Sequence, residues 1–322
     1  MIEPIVKRCA GLDVHKMVIV ATVLTEQPDG EVVEITRKFK TFKKDRLKLC
    51  RFLKEHKVEL VVMESTGIYW KSLFMTLEKK GIKTQVVNAR HAKNVPGRKT
   101  DVTDSQWLAS LARNGLLRPS FIPEKDLREL RLISRQRKKL KQTLAAEKNR
   151  LHKTLDDAGI RLGGVVSDIN GVSARAIIAG LINKEPVDQL MGYVKGRLRE
   201  KIEELRESVD EDLSERHRFL LSHLHEHIEH LEDQIDQLDS YLFEAMNPYK
   251  EQWEILQTIP GVDKVAAATL IIEMGVDMEH FKDSSHLASW AGMCPGNNES
   301  AGKKKAVKPE KGTILSGQYS VK

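Results

Sequence analysis

The chain has 322 residues, 40% of them hydrophobic, with 53 basic and 46 acidic side chains. This composition supports a sizeable core and excludes an intrinsically disordered chain. No apolar run is long enough for a transmembrane helix, and residues 1–16 lack the hydrophobic segment of a secretory signal, so we expect a cytoplasmic protein with no membrane partner. Cys9, Cys50 and Cys294 lie far apart, which excludes a disulfide scaffold and a thiolate zinc ribbon and predicts core cysteines.

The net charge of +7 conceals a strong separation of charge along the chain. Residues 61–155 carry 21 basic and 8 acidic side chains, whereas residues 200–250 carry 5 basic and 15 acidic ones. A concentrated basic surface is typical of a protein that binds a polyanion, and nucleic acid is the partner that we expect. A charged surface that is merely solvated is the alternative.

Residues 1–122 predict an α/β domain. Short β-rich runs at 9–14, 17–24 and 31–39, with a turn at 27–30, predict a β-meander. A helix at 45–56, a buried strand at 59–63, a helix from about 67 to 80 and a strand at 83–88 follow. Strands that alternate with helices after an antiparallel start indicate a mixed sheet with helices on its faces.

Residues 123–250 predict an α-helical coiled-coil domain. Two runs of leucine and isoleucine recur at helical spacing, which predicts two long helices that pack together within one chain, between chains, or both. The seam of the first is Leu127, Leu130, Ile133, Leu140, Leu144, Leu151 and Leu155, and that of the second is Leu220, Leu224, Ile228, Leu231, Ile235, Leu238 and Leu242. The first helix is basic, with Lys138, Lys139 and Lys141 as candidate nucleic-acid contacts, and the second is acidic.

The acidic helix also carries histidines at 217, 223, 225, 227 and 230. His223 and His227 have the i, i+4 spacing of zinc ligands, but the HExxH pattern is absent. We therefore predict a solvent-facing histidine-rich surface.

Residues 251–322 predict a mainly α-helical domain. The segments 256–262 and 265–272 predict a helix-hairpin-helix-like unit with Gly261 at its turn. Such a turn can direct backbone N–H groups at a phosphate. Asp263 stands where a second glycine would help this contact, so a hairpin used only for packing is the alternative.

Four carboxylates form a candidate metal site. Asp13 lies within an apolar β run, where a buried carboxylate requires compensation of its charge, and Glu64 ends a buried strand. Asp101 and Asp104 lie at a helix start with i, i+3 spacing. Together they offer the hard oxygen ligands that one or two Mg²⁺ ions require. In the alternative, Glu64 is a surface acid and Asp101 or Asp104 is an N-cap or first-turn acid.

Several motifs carry a resemblance to a known family. The segments GLDVHK, VVMESTGIYW, KTDVTD, IPGV and HLASWAGMCPGNNESAGKKK closely resemble the DEDD transposases of bacterial insertion sequences, the insertion-sequence one-ten family, whose relatives include the Piv-type DNA invertases. The resemblance implies a RuvC-like N-terminal domain of the RNase H fold, a coiled-coil middle and a C-terminal transposase domain. It implies that Asp13, Glu64, Asp101 and Asp104 hold Mg²⁺ or Mn²⁺.

The same resemblance assigns roles at the other end of the chain. It implies that Ser300 attacks a DNA phosphate and forms a phosphoserine intermediate. Lys303, Lys304 and Lys305 would supply positive charge, and Gly302 would let the backbone approach the DNA. The implied partners are double-stranded DNA, as element ends and target, a structured guide RNA, and further copies of the chain in a dimer or tetramer in the bacterial cytoplasm at the nucleoid.

The sequence leaves three functions open. The first is this RNA-guided, serine-dependent recombination. The second is a RuvC-like junction nuclease in which water attacks, and the third is a nucleic-acid-binding remnant without activity. After Gly312 the apolar helical periodicity ends, so we expect a shortened C-terminal domain.

Overall fold

The computed structural model describes residues 5–65, 67–95, 103–291, 299–300 and 303–304. The chain divides into two units, Met1–Ile122 and Pro123–Lys322. Cys294 lies outside the described residues, whereas Cys9 and Cys50 are buried, as predicted for core cysteines. Burial raises the pKa of the Cys9 thiol to about 11. Within the described ranges, no helix is both long and apolar enough to span a membrane.

A five-stranded mixed sheet forms the centre of the first unit. Its strands are β1 Arg8–Val14, β2 Val18–Glu26, β3 Val32–Lys40, β4 Leu60–Glu64 and β5 Thr84–Val87. The spatial order is β3-β2-β1-β4-β5; β1, β2 and β3 form an antiparallel meander, and β4 and β5 run parallel to β1. The predicted meander and mixed sheet are therefore confirmed.

Four helices accompany this sheet: α1 Lys43–Glu55, α2 Tyr69–Lys79, α3 Ala89–Asn94 and α4 Asp104–Arg113. Because side chains alternate along a strand, the sheet has two apolar faces. Leu12 and Met63 belong to the core cluster that includes Leu73 of α2 and Leu49 of α1. Val62 belongs to the cluster on the other face, which includes Leu108, Ala109 and further residues of α4. The sheet therefore separates α1 and α2 from α4.

Helix α4 lies directly on β1 and runs antiparallel to it. The Cys9 thiol lies 3.3 Å from the Ala109 carbonyl oxygen. Two residues further along β1, a Cβ added at Gly11 would lie 2.1 Å from the Ser105 carbonyl oxygen. Residues further along β1 therefore contact residues nearer the N-terminus of α4. The first turn of α4 therefore lies at the carboxyl end of β1.

Replacing Gly11 with alanine should lower the free energy of unfolding by about 1–3 kcal/mol, because the new methyl group would meet helix backbone rather than a mobile side chain. Chemical denaturation of the full chain measures the effect. Gly164→Ala is the matched control, since an added Cβ there has no neighbour within 4 Å. Equal stability of both variants would contradict the close contact between β1 and α4.

The described part of the second unit is almost entirely helical. Its helices are α5 Lys125–Asp157, α6 Leu162–Val165, α7 Val172–Ile182, α8 Val187–Met191, α9 Ile202–Val209, α10 Glu215–Ala245, α11 Lys250–Gln257, α12 Lys264–Met274 and α13 Ser284–Trp290, with 3-10 helices at Gly196–Lys201 and Asn247–Tyr249. Strands β6 Glu299–Ser300 and β7 Lys303–Lys304 form a short antiparallel pair. The predicted helical remainder is confirmed for the described residues, and its division at residue 250 stays a prediction.

The two long helices α5 and α10 pack against each other as an antiparallel pair. Leu127 near the start of α5 shares a core cluster with Leu242 near the end of α10, and Leu155 shares one with Leu221. Pairing within one chain agrees with one of the predicted arrangements; a supercoil stays a prediction. The prediction of Leu220 as a seam residue was wrong. Leu220 is 46% exposed, whereas Leu221 is fully buried, because the repeat that continues through Leu224 starts at 221.

Candidate active site and nucleic-acid contacts

Two of the predicted carboxylates lie side by side at the carboxyl edge of the sheet. In the parallel register of β1 and β4, Leu12 pairs with Met63, and Asp13 and Glu64 are the next residue of each strand. Neighbouring strands are about 4.8 Å apart, so the two backbones bring both carboxylates to one place. By alternation, both side chains belong to the face of the sheet that packs on α4.

Asp104 reaches the same edge from α4. It lies in the first turn of the helix and is half-buried. The N-cap is Thr103, which accepts from the Gln106 N–H in a capping box, so Asp104 does not cap α4. Because α4 is antiparallel to β1, this first turn lies at the end of the strand that carries Asp13. Asp104 thus has the first-turn position that the alternative prediction gave it. This position is compatible both with a metal ligand and with an acid that only stabilises the start of the helix.

Asp101 lies outside the described residues, so the tetrad stays a prediction. Among the residues that the structure does describe, no three His, Cys, Asp or Glu side chains lie close enough together to hold a metal ion. The donor set at the edge is nevertheless chemically suited to a hard cation, since Asp13, Glu64 and Asp104 all supply carboxylate oxygens. The backbone thus brings these donors to one edge of the sheet, but the described side chains do not form a complete set of metal ligands.

His15 is a neighbour of Asp13 that sequence reasoning missed. Its Nε2 lies 2.9 Å from Asp13 Oδ2, and the two side chains are 60% and 25% exposed, respectively. The i, i+2 spacing, which returns to the same face of an extended chain, was the available signal. Asp13 is therefore less buried than expected, and the argument that burial alone demands a compensating cation is weaker than the sequence suggested.

Ser300 lies in the second unit, in strand β6. The β6–β7 ladder pairs Ser300 with Lys303 and Glu299 with Lys304. The backbone thus places two of the predicted basic residues on the strand opposite the serine. Gly302 and Lys305 lie outside the described residues, and their roles stay predictions.

The basic surface of α5 is smaller than its sequence indicates. Arg131 and Arg135 bind the buried Glu273 of α12, at 3.0 and 3.2 Å. Lys148 and Arg137 bind acids of α10, and Arg150 binds Glu147 of its own helix. These cations neutralise internal acids because the acidic helix is the packing partner of the basic one. The candidate residues Lys138, Lys139 and Lys141 are exposed.

The segment around Gly261 contains two helices, α11 and α12, joined by a short turn, and its identity as a helix-hairpin-helix-like unit stays a prediction. Gly261 has φ +87°, in the left-handed region that glycine adopts freely. The Asp263 side chain caps α12 by accepting from the Ala266 N–H at 2.7 Å. One helix N–H that could have faced a phosphate is thereby occupied, which favours the packing alternative for this turn. A phosphate contact at Gly261 stays a prediction.

Three of the five histidines of α10 are exposed, as the sequence predicts, whereas His217 and His225 are partly buried. His223, His227 and His230 are exposed, and His217 lies 3.0 Å from Asp157. None of them joins a metal-binding group within the described ranges. The histidine-rich surface is therefore solvent-facing over much of its length.

Curated proteins and solved structures show local similarity. The pilin gene-inverting proteins of Moraxella bovis and Moraxella lacunata are each 33% identical over 85 residues, which cover 26% of this chain and 26% of the relative. The match thus spans about a quarter of the length of these relatives. The Thermus thermophilus RuvC structure and a structure of T. thermophilus RuvC in complex with a Holliday junction substrate match at 13% and 11% identity, each with a TM-score of 0.27, 35% coverage of this chain and 99% coverage of the other.

Two family models match the two ends of the chain. A DEDD-type IS110 model described as "Transposase" matches residues 10–160, which include most of β1, all of β2 to β5, and α4. A model described as "Transposase IS116/IS110/IS902 family" matches residues 253–313, which include α12 and the β6–β7 pair. Both parts of the candidate site fall within these ranges, and the chain belongs to the IS110 family of transposases.

Proposed function

We propose that the chain is a DNA transposase or recombinase that cleaves and exchanges DNA strands with the help of a divalent cation, Mg²⁺ or Mn²⁺. The observation that carries this proposal is the register of β1 and β4. It brings Asp13 and Glu64 together at the end of the sheet where α4 begins with Asp104. Membership of the IS110 family supports the same activity.

In this proposal Asp13, Glu64 and Asp104, completed by Asp101, hold the cation. A bound divalent cation supplies charge neutralisation at the phosphodiester and polarises its oxygens. The chain contributes hard oxygen donors fixed by two strands and a helix, which are rigid supports for a reaction centre. His15 bonds one Asp13 oxygen and thereby orients the carboxylate.

Ser300 is the proposed nucleophile. Its Oγ loses its proton and forms a bond to the DNA phosphorus, the bond from phosphorus to one deoxyribose oxygen breaks, and a proton passes to that oxygen, which leaves as a hydroxyl. A serine hydroxyl is a weak nucleophile at neutral pH and requires activation by its surroundings. Lys303, the ladder partner of Ser300, and Lys304 bring positive charge to the strand opposite.

The partners proposed for this reaction are double-stranded DNA at the element ends and at the target, and a structured guide RNA. Ser300 and the carboxylates belong to different units of the chain. An active site completed either within one chain or between copies in a homodimer or homotetramer is therefore part of the proposal.

The serine mechanism predicts a covalent protein–DNA adduct. We expect the wild-type chain, supplied with Mg²⁺, its RNA and end-labelled element DNA, to retain label on protein in a denaturing gel, and Ser300→Ala to retain none, because alanine has no hydroxyl. Ser289→Ala on α13 is the matched control and should behave as wild type. Cleavage without adduct in the wild type would instead indicate a water-dependent nuclease, and DNA binding without any product would indicate a remnant.

A further inference from the structure

A groove on the first unit lies away from the candidate active site. It is formed by α1 and α2 and has a volume of about 350 Å³. Lys43, Lys79 and Lys80 are among its lining residues, and Leu47 and Met75 form its apolar part. Helices α1 and α2 cover the face of the sheet that carries Leu12 and Met63, whereas Asp13 and Glu64 belong to the opposite face.

The two helices carry a dense positive charge. Residues 43–55 contain six basic and two acidic side chains, and residues 69–80 contain three basic and one acidic. Lys43, Lys79 and Lys80 are exposed and form no ion pair within the described part of the chain. These cations differ from the arginines of α5, which neutralise acids of their own unit. The charge of these three lysines is thus available to an external anion.

One cation of the groove is held in a fixed position. Arg46 donates from Nε to the Thr76 hydroxyl at 3.0 Å and from an Nη atom to the Thr41 carbonyl oxygen at 2.7 Å. The guanidinium therefore bridges the two helices and keeps its charge at the centre of the groove. A fixed cation beside mobile lysines is a suitable arrangement for a phosphate backbone, which needs positive charge but no base-specific donor.

We propose that the groove between α1 and α2 binds the phosphate backbone of duplex DNA, independently of its sequence. The proposal rests on the function proposed above for its choice of DNA. No aromatic side chain is among the described residues that line the groove, so it lacks the stacking platform that single-stranded nucleic acid uses. Leu47 and Met75 are the two apolar residues among the described lining residues, fewer than the row of anchors that an acidic amphipathic helix requires.

The position of the groove relates it to the reaction. Helix α1 follows β3 and α2 follows β4, and both strands run parallel to β1 and end at the edge that carries Asp13. Both helices therefore begin at the candidate active edge. Backbone contacts of this kind fix the position of a duplex without reading it.

The test is a charge reversal of two groove lysines in the full-length chain. Lys79→Glu with Lys80→Glu is compared with Lys7→Glu and Lys57→Glu, which are exposed, carry the same change in net charge and precede β1 and β4 at the opposite edge of the sheet. Fluorescence anisotropy with a random-sequence duplex in EDTA measures affinity between about 50 and 200 mM salt. EDTA separates binding from cleavage, so the result is independent of the carboxylates and of Ser300.

We expect the groove pair to lower the affinity for duplex DNA about tenfold or more and to make the slope of log K against log salt shallower by about two, because two phosphate contacts are lost. The control pair should change both quantities far less. If charge reversal at the end of α2 lowers the melting temperature, Lys79→Gln with Lys80→Gln is measured instead and should lose affinity in the same direction.

Four results would overturn the proposal. Unchanged affinity and salt slope in the groove variant would show that DNA does not bind there. An equal loss in the control pair would show an effect of net charge alone. Tighter binding of a duplex RNA of the same sequence, or a change of oligomeric state with intact DNA binding, would assign the groove to RNA or to a second copy of the chain.

Discussion

Replacement of Asp13 by asparagine should abolish DNA cleavage and strand exchange while the chain remains folded. Asparagine keeps the size and shape of the side chain but removes the negative charge that the proposed cation requires. Because Asp13 is a quarter exposed, an asparagine there remains in contact with solvent, and the substitution should not unfold the chain. Loss of one carboxylate from a cation site should cost several kcal/mol of transition-state stabilisation, a rate loss of about 10³-fold or more. Rates of product formation on element DNA measure it.

Asp29→Asn provides the matched control. Asp29 lies in the turn between β2 and β3 and accepts from the Glu31 N–H, a hydrogen bond that asparagine can also make. A direct readout is the affinity for Mn²⁺, which should fall for Asp13→Asn and not for Asp29→Asn. Activity of Asp13→Asn within tenfold of wild type would contradict the carboxylate site.

A double variant extends this test to Glu64. If Asp13 and Glu64 hold one cation, Asp13→Asn with Glu64→Gln should be scarcely worse than either single variant, because the first substitution already removes the ion. Additive losses would mean that the two carboxylates act separately, despite their adjacent positions at the ends of β1 and β4.

The edge that gathers these carboxylates was predictable in part. Asp13 lies near the end of one apolar run and Glu64 ends another, and ends of parallel strands meet at one edge of a sheet. The position of α4 was not predictable, because it depends on the close contact of Gly11 with Ser105, two residues far apart in sequence. The pairing of His15 with Asp13 depended in addition on a side-chain orientation that spacing alone does not fix.

The charge of α5 shows a second property that the sequence could not predict, namely which basic side chains remain unpaired after folding. Counting residues correctly predicted a basic and an acidic helix. A count does not show, however, which basic side chains form ion pairs with acids inside the fold. Arg131 and Arg135 pair with Glu273, more than 130 residues away. Lys43, Lys79 and Lys80 of the groove form no such ion pair among the described residues, so these lysines are the more accessible cations. Ser300 had no local signal at all and was found only through the resemblance to a family.

Acid should destabilise the helical unit through Glu232, a residue of α10. Arg175 of α7 binds both of its carboxylate oxygens, at 2.7 and 2.5 Å, and Lys148 of α5 lies 2.6 Å from Oε1. The hydrogen bond from Arg175, aided by Lys148, lowers the pKa of Glu232 from 4.5 to about 2, although burial opposes the shift. The carboxylate thus links three helices only while it is ionised.

The direction of the pH effect follows from this lowered pKa. Because the folded chain binds the Glu232 proton more weakly than the unfolded chain, the contribution to stability is complete above the unfolded value of 4.5 and is lost as the pH falls toward 2. Solvent screens this partly exposed carboxylate, so we expect it to contribute about 1–2 kcal/mol at neutral pH. Glu232→Gln should therefore cost about 1–2 kcal/mol at pH 7, and its difference from wild type should shrink on acidification.

Denaturant unfolding of the full chain at several pH values measures this difference. Asp233→Asn is the control, since its side chain is exposed and should contribute less than about 0.5 kcal/mol at any pH. A penalty for Glu232→Gln that stayed constant from pH 7 to pH 3 would mean that shape, rather than ionisation, holds α5, α7 and α10 together. A penalty that vanishes with acid would instead identify the Glu232 charge as the feature that joins the basic helix to the acidic one.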